Sequence, residues 1–261
     1  MARLEARVGV RLFDRNPKLV TLTEEGKRFH AQVMPLLAAL EEAAADAAGA
    51  AVVVNGRLRV SVDPWFARMM LAPCLSRFMA RYPLLSVDFT TSNYREEMMV
   101  GVDVAVRFGP PDIASLITRK LFDTRVLTCA APNYLEQHGL PRTPHDLAHH
   151  ECLLFRDPQT GRPFPWEFHR GREVIAANVA GRLVMDDPSA AVAACVAGQG
   201  VLQILEMGLG PWLTSGQLVQ VLPDWAEERY PLYAYHPSRH LPPAKVRAFL
   251  DFVQEITRAE R

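Results

Sequence analysis

Arg3-Leu4-Glu5-Ala6-Arg7-Val8-Gly9-Val10-Arg11-Leu12-Phe13-Asp14-Arg15-Asn16-Pro17-Lys18-Leu19-Val20-Thr21-Leu22-Thr23-Glu24-Glu25-Gly26 is the stretch on which the reading of the chain turns. Leu4 and Val8 recur at helical spacing, and Gly9 is a natural residue to end that helix. Val10, Leu12 and Phe13 follow as buried anchors. A basic turn, Arg15-Asn16-Pro17-Lys18, leads into a short strand, Leu19-Val20-Thr21-Leu22. Thr23 is placed to cap a long second helix. Helix, basic wing and helix together are the parts of a winged DNA-binding module.

Working outward, the first 28 residues carry Arg3, Arg7, Arg11, Arg15, Lys18, Lys27 and Arg28 against four acids, although the 261-residue chain has a formal net charge of zero. That balance excludes a whole-chain polyanion binder and leaves room for one basic patch. From Thr23 to Ala48 the only strong breaker is Pro35, and Phe29, Val33, Leu36, Leu37, Leu40 and Ala44 share one helical face. Such a helix is ~35–40 Å long. Its apolar stripe predicts pairing with a second copy, or packing on its own chain. The four cysteines, Cys74, Cys129, Cys152 and Cys195, contain no Cys-x-x-Cys and read as reduced, buried thiols. The charged start is not a secretory signal, and no apolar run approaches ~18 residues, so a cytoplasmic protein without a membrane span is expected.

Beyond a hinge at 49–56 the texture becomes α/β. Leu58–Val62 reads as a strand, Asp63-Pro64 as the cap and first residue of a helix to Tyr82, and Leu85–Thr90 and Val102–Arg107 as further strands, with a short helix at 94–100 between them. The buried face of the first helix is expected to be Leu71, Leu75, Phe78, Met79 and Tyr82. Val126–Ala130 opens a second unit, with a helix from Pro132 to Gly139. Strands follow at 153–155, 166–168 and 174–176, the last two separated by a turn at Gly171. A strand over Val179–Met185, a helix over 189–197 and strands at 201–205, 218–222 and 232–235 come next. A final helix carries Val246, Phe249, Leu250, Val253 and Ile256. The rhythm predicts two α/β lobes around a cleft, where small ligands bind.

These residues resemble the LysR-type transcriptional regulators. Arg3 to Arg15 and Leu22-Thr-Glu-Glu-Gly26 are similar to the end of that family's winged helix-turn-helix. Gly56-Arg-Leu-Arg-Val-Ser61, Ala72 to Pro83, Val102 to Gly109, Ala130 to Leu135, Asp146 to Leu153, Ala197 to Val201 and Leu218 to Pro223 match its later signatures in order. The resemblance implies a partial winged helix-turn-helix and long linker helix, followed by a two-lobed effector domain of the type 2 periplasmic-binding-protein-like fold. It maps 1–22 to the recognition-helix end and wing, 23–48 to the dimerisation helix, and 57–261 to the effector domain. Within that domain, lobe I is 57–124 with 230–261 and lobe II is 125–229. It also implies that the chain starts part-way through the DNA-binding module, through a misplaced start codon or a real truncation.

The function implied is a DNA-binding transcriptional regulator, homodimeric or homotetrameric, whose C-terminal domain binds a small effector. The alternative is a small-molecule-binding protein without DNA binding. Arg3, Arg7, Arg15 and Lys18 are the residues suited to phosphates of double-stranded DNA. The effector site implied by position comprises Val62, Asp63 and Trp65; Thr91 and Ser92; Phe108; Thr128 and Cys129; Asp187 and Ser189; and Ile204 and Glu206. The acids Asp63, Asp187 and Glu206 point away from a simple dicarboxylate, toward a ligand with a hydroxyl, aromatic or cationic part. His145, His149, His150 and Cys152 match no standard zinc spacing, and no catalytic constellation stands out, so neither metal, cofactor nor enzymatic activity is expected.

Overall fold

The computed structural model describes residues 2–16, 19–47, 53–93, 101–109, 116–236 and 242–258. Helix α1 (Ala2–Val8) leads to a hairpin, β1 (Phe13–Asn16) and β2 (Leu19–Leu22), and then to α2 (Glu24–Ala47). Thr23 caps α2: its hydroxyl accepts from the Gly26 N–H at 2.9 Å and donates to the Arg11 carbonyl at 2.8 Å. Leu12 is buried, but Val10, expected as a buried anchor, is exposed at the turn that follows α1, and Leu36, Leu37 and Leu40 on α2 are 59%, 47% and 67% exposed. These leucines of the predicted apolar stripe are uncovered within one chain, while Phe29 and Val33 are half-buried.

The rest is α/β. β3 (Gly56–Val62) leads into α3 (Pro64–Phe66), a single π turn (Ala67–Leu71) and α4 (Ala72–Arg81), then β4 (Leu85–Thr91) and β5 (Val104–Phe108). β3 pairs in parallel with both β4 and β5, and the consecutive residues Val60, Ser61 and Val62 are all buried, as a strand covered on both faces requires. β6 (Ile117–Ala130), α5 (Pro132–His138), a 3-10 turn (Pro144–His149) and β7 (Cys152–Phe155) follow. A hairpin, β8 (Trp166–Arg170) and β9 (Glu173–Ala177), precedes β10 (Leu183–Met185), α6 (Pro188–Val196) and β11 (Val201–Leu205). The chain continues through α7 (Gly210–Thr214), β12 (Val219–Val221), a 3-10 turn (Pro223–Trp225), β13 (Arg229–His236) and α8 (Ala244–Arg258).

Among the described residues the main sheet has nine strands in the order β10-β7-β11-β6-β13-β5-β3-β4, with β12 also on β6. The strand expected at Val126–Ala130 is the end of a fourteen-residue strand. Its first part pairs with β13, its last with β11, so one strand belongs to both halves of the sheet. α8 buries Val246, Phe249, Leu250, Val253 and Ile256, as expected, and adds Phe252; Phe249 and Phe252 close around Phe78 of α4 at ring-centroid distances of 6.0 and 5.1 Å.

Two further expectations differ from the structure. Met79 is exposed, because it lies ~100° around the helix from Phe78, the residue α4 buries fully. The strand expected over Val179–Met185 is confined to Leu183–Met185. Before it the backbone is pressed against the end of β7: the Cys152 N–H donates to the Ala180 carbonyl at 3.1 Å, and a Cβ on Gly181 would meet the Cys152 oxygen at 1.7 Å. Asp103 is structural, as its place in an apolar segment suggests, accepting from the Arg59 N–H and from Lys245 Nζ. The helix expected at 94–100 and the first half of the hinge at 49–56 lie outside the described residues.

Candidate functional site

The site is organised where β3 ends. Asp63 is the N-cap, its Oδ1 accepting from the Trp65 and Phe66 N–H groups at 2.9 and 3.0 Å. Burial pushes this carboxyl above its ordinary range, against the pull of the Phe66 N–H and the nearby Arg107 guanidinium. Arg107, on β5, is itself buried; its Nη1 donates to the Val106 carbonyl and its Nη2 to Ser61 Oγ at 2.7 Å. Trp65 is held by its indole N–H, which donates to the Met207 carbonyl at 2.8 Å, and by stacking on Trp212 at 6.2 Å.

Between the two halves of the sheet lies a cavity of about 440 Å³, within the ~300–1,000 Å³ typical of small-molecule sites. Its walls are aromatic: Trp65, Phe108 and Tyr230 on one side, Phe155, Phe164 and Trp166 on the other. Phe108 and Tyr230 stack at 6.3 Å, and Phe155 and Phe164 at 6.2 Å. Val126, Ala191, Leu202, Ile204 and Leu205 complete the apolar surface; Asp63, Asn93, Arg107, Asp157, Gln159, Gln203 and Glu228 are its polar groups. A second cavity of about 420 Å³ shares Asn93, Asp157 and Pro158 with the first and adds Pro64, Thr91, Ser92, Arg156, Gly161, Asp186 and Asp187. Asn93 ties this rim across, its Nδ2 donating to the Asp186 carbonyl at 2.8 Å.

Of the residues expected from sequence, Asp63, Trp65, Phe108 and Ile204 face the first cavity, and Thr91, Ser92 and Asp187 the second. Val62, Thr128 and Cys129 do not line either; all three are buried in the sheet. Burial pushes the Cys129 thiol up to about 12, so little thiolate is present at neutral pH. Ser189 lines neither cavity. Glu206 is engaged instead by Arg125, whose Nε donates to its Oε2 at 2.7 Å and whose Nη2 bonds Oε1. Asp187 caps α6 by accepting from the Ala190 N–H at 2.8 Å. Two of the three acids expected to repel a dicarboxylate thus serve their own helix N-termini, and the third faces an arginine. Arg107, Trp166, Glu228 and Tyr230 were not singled out from sequence, although Glu228 and Tyr230 stand two apart in an extended segment and so share a face.

Glu228 is the acid left over. Among the described residues no hydrogen bond reaches its carboxylate, and burial pushes it above the ordinary range, with His169 opposing and Glu167 reinforcing the shift. An acid with a raised folded value favours its neutral form, so its ionisation costs stability as pH rises above about 4.5, the value of a free glutamate. Glu228→Gln is therefore expected to raise the unfolding midpoint at pH 7, with the advantage shrinking to nothing below about pH 4.5. Paired thermal melts across pH test this; an advantage independent of pH would contradict it.

At the N-terminal end, Arg3 and Arg7 are exposed on α1. The Arg15 side chain and all of Lys18 lie outside the described residues. Tyr134 and His150 are in contact at 3.3 Å, and the Glu151 N–H donates to the tyrosine oxygen, so His150 is part of a local packing contact. No described helix is long and apolar enough to cross a membrane.

Comparison with known proteins agrees with this architecture. The family model described as LysR substrate binding domain matches residues 52–258. An HTH-type transcriptional repressor of Pseudomonas aeruginosa (strain UCBPP-PA14) is 32% identical over 97% of this chain and 80% of its own length. Among solved structures, the full-length Vibrio cholerae virulence activator AphB, a member of the LTTR family, aligns with a TM-score of 0.67 and 30% identity over 97% of this chain and 86% of its own. CrgA, a LysR-type transcriptional regulator from Neisseria meningitidis, aligns with a TM-score of 0.71 and 26% identity over 98% and 86%.

Proposed function

The chain belongs to the LysR family of transcriptional regulators, and from that premise we propose that a small effector held in the aromatic cavity governs how a cytoplasmic, non-enzymatic homodimer or homotetramer of this chain engages double-stranded DNA. The observation that carries the reading is the cavity itself, built by both halves of a sheet that share β6. A ligand touching both halves biases their arrangement by its differential affinity for the two states. The lobes in this reading are 57–124 with 230–261, and 125–229. Leu36, Leu37 and Leu40, exposed along α2, supply an apolar stripe for pairing across a two-fold axis. Arg3, Arg7, Arg15 and Lys18 supply phosphate contacts.

Selection of duplexes from a random-sequence pool by the purified chain tests the proposal, followed by binding measured against salt. A selected duplex should bind with affinity falling steeply as salt rises, and Arg3→Ala or Arg7→Ala should each lower the log–log slope by about one. Selection of no duplex by a chain that still binds small molecules would favour the alternative, a ligand-binding protein without DNA binding.

A further inference from the structure

Resting on that reading of the cavity, we propose that its ligand is an aromatic amine, bound as a cation with its ring among the aromatic walls and its ammonium on Glu228. The walls set the first half. Six rings and the aliphatic side chains between them offer flat apolar surface far in excess of polar groups, which suits a planar ring system.

The charges set the second half. A carboxylate ligand would seek the N–H groups at the start of α3, but Asp63 already fills that position with its own carboxylate. The start of α6 is filled in the same way by Asp187. Arg107, the cation lining the cavity, turns its two Nη donors onto the Val106 carbonyl and Ser61 and lies close enough to Asp63 to oppose that acid's shift. Asp157 accepts from the Gln159 N–H and the Thr160 hydroxyl in its own turn. Glu228 remains without a hydrogen-bond partner among the described residues, half-buried, on the same face of the extended chain as Tyr230 and lining the same cavity as Trp166. A carboxylate among aromatic rings is the arrangement that receives an ammonium, through charge pairing and through the ring faces together. An ammonium placed there would also supply the partner that this acid lacks.

Isothermal titration of the full chain with three ligands of one shape tests the assignment: tryptamine, the neutral tryptophol and the anionic indole-3-propionate. Tryptamine should bind tightest, by about tenfold over the anion. Glu228→Gln should remove most of that preference, weakening tryptamine far more than tryptophol. Since this variant is expected to be the more stable protein, loss of folding does not confound the result. Equal or tighter binding of indole-3-propionate or tryptophol would overturn the amine while leaving the cavity as the effector site. An equal effect of Glu228→Gln on all three would do the same. Binding of none of the three would overturn both the amine and the aromatic cavity as a ligand site.

Discussion

Trp65→Ala should destabilise the chain by about 3–5 kcal/mol, the range for deleting a buried large aromatic. Trp65 is 2% exposed, and removing it vacates more than a wall of the cavity. It strips the Met207 carbonyl of the indole N–H at 2.8 Å and leaves Trp212 without its stacking partner at 6.2 Å. The segment it grips is tightly seated: the Met207 N–H donates to Thr124 Oγ1, and a Cβ on Gly208 would meet the Met69 Cβ at 2.5 Å. The indole therefore pins the turn after β11 to the helix after β3. Trp65→Phe keeps most of the ring and gives up the hydrogen bond, so its loss should be nearer 1 kcal/mol. Urea unfolding of both variants measures this; a loss below 1 kcal/mol for the alanine would show that the contact is dispensable.

Gly181→Ala should cost at least about 3 kcal/mol, through overpacking against atoms that cannot step aside. The added Cβ would stand 1.7 Å from the Cys152 oxygen and 2.8 Å from its carbonyl carbon, both backbone. Relief requires separating 178–182 from the end of β7. That breaks the bond from the Cys152 N–H to the Ala180 carbonyl and strains the parallel pairing of Leu183 with Leu153. Hydrogen exchange should show protection lost first in β10 and the adjoining residues of β7. Gly171→Ala is the contrast: Gly171 has φ +58° and nothing within 4 Å of its added Cβ, so the cost is the left-handed backbone alone, about 1–2 kcal/mol. Equal losses for the two variants would refute the steric argument.

Local chemistry made much of the fold legible. Asp63-Pro64 announces a cap and a helix start, 166–168 and 174–176 read as strands with a turn at Gly171, and the period of Val246 to Ile256 announces a helix with one buried face; each is present, and the two strands pair as a hairpin. What stayed hidden depends on contacts distant in sequence. Nothing near Arg125 signals that the strand begins eight residues earlier, because its first part is stabilised by β13, roughly a hundred residues away in the chain. Gly181 looks like a residue inside a strand until Cys152 is seen against it. The site divides in the same way. Asp63 and Trp65 follow a strand end, where ligands of α/β folds gather, and they do face the cavity. Thr128 and Cys129 lie further along the strand from which Val126 reaches the cavity, and both are buried in the sheet. Glu228 carries no motif; its weight comes from having no hydrogen-bond partner among the described residues, where Asp63 and Asp157, the other acids of the cavity, each have one.

On the proposed reading, a small effector acts in the cavity between the two halves of the sheet. The most direct measurement is a thermal-shift screen of small metabolites on the native chain and on Gln203→Trp, which places an indole in the cavity from a half-buried position on β11. A ligand at a hundred times its dissociation constant contributes ~2.7 kcal/mol to stability. Compounds, cationic aromatics first among them, should raise the midpoint of the native chain and leave Gln203→Trp unmoved. Compounds that stabilise both proteins equally would place the effector elsewhere and contradict it.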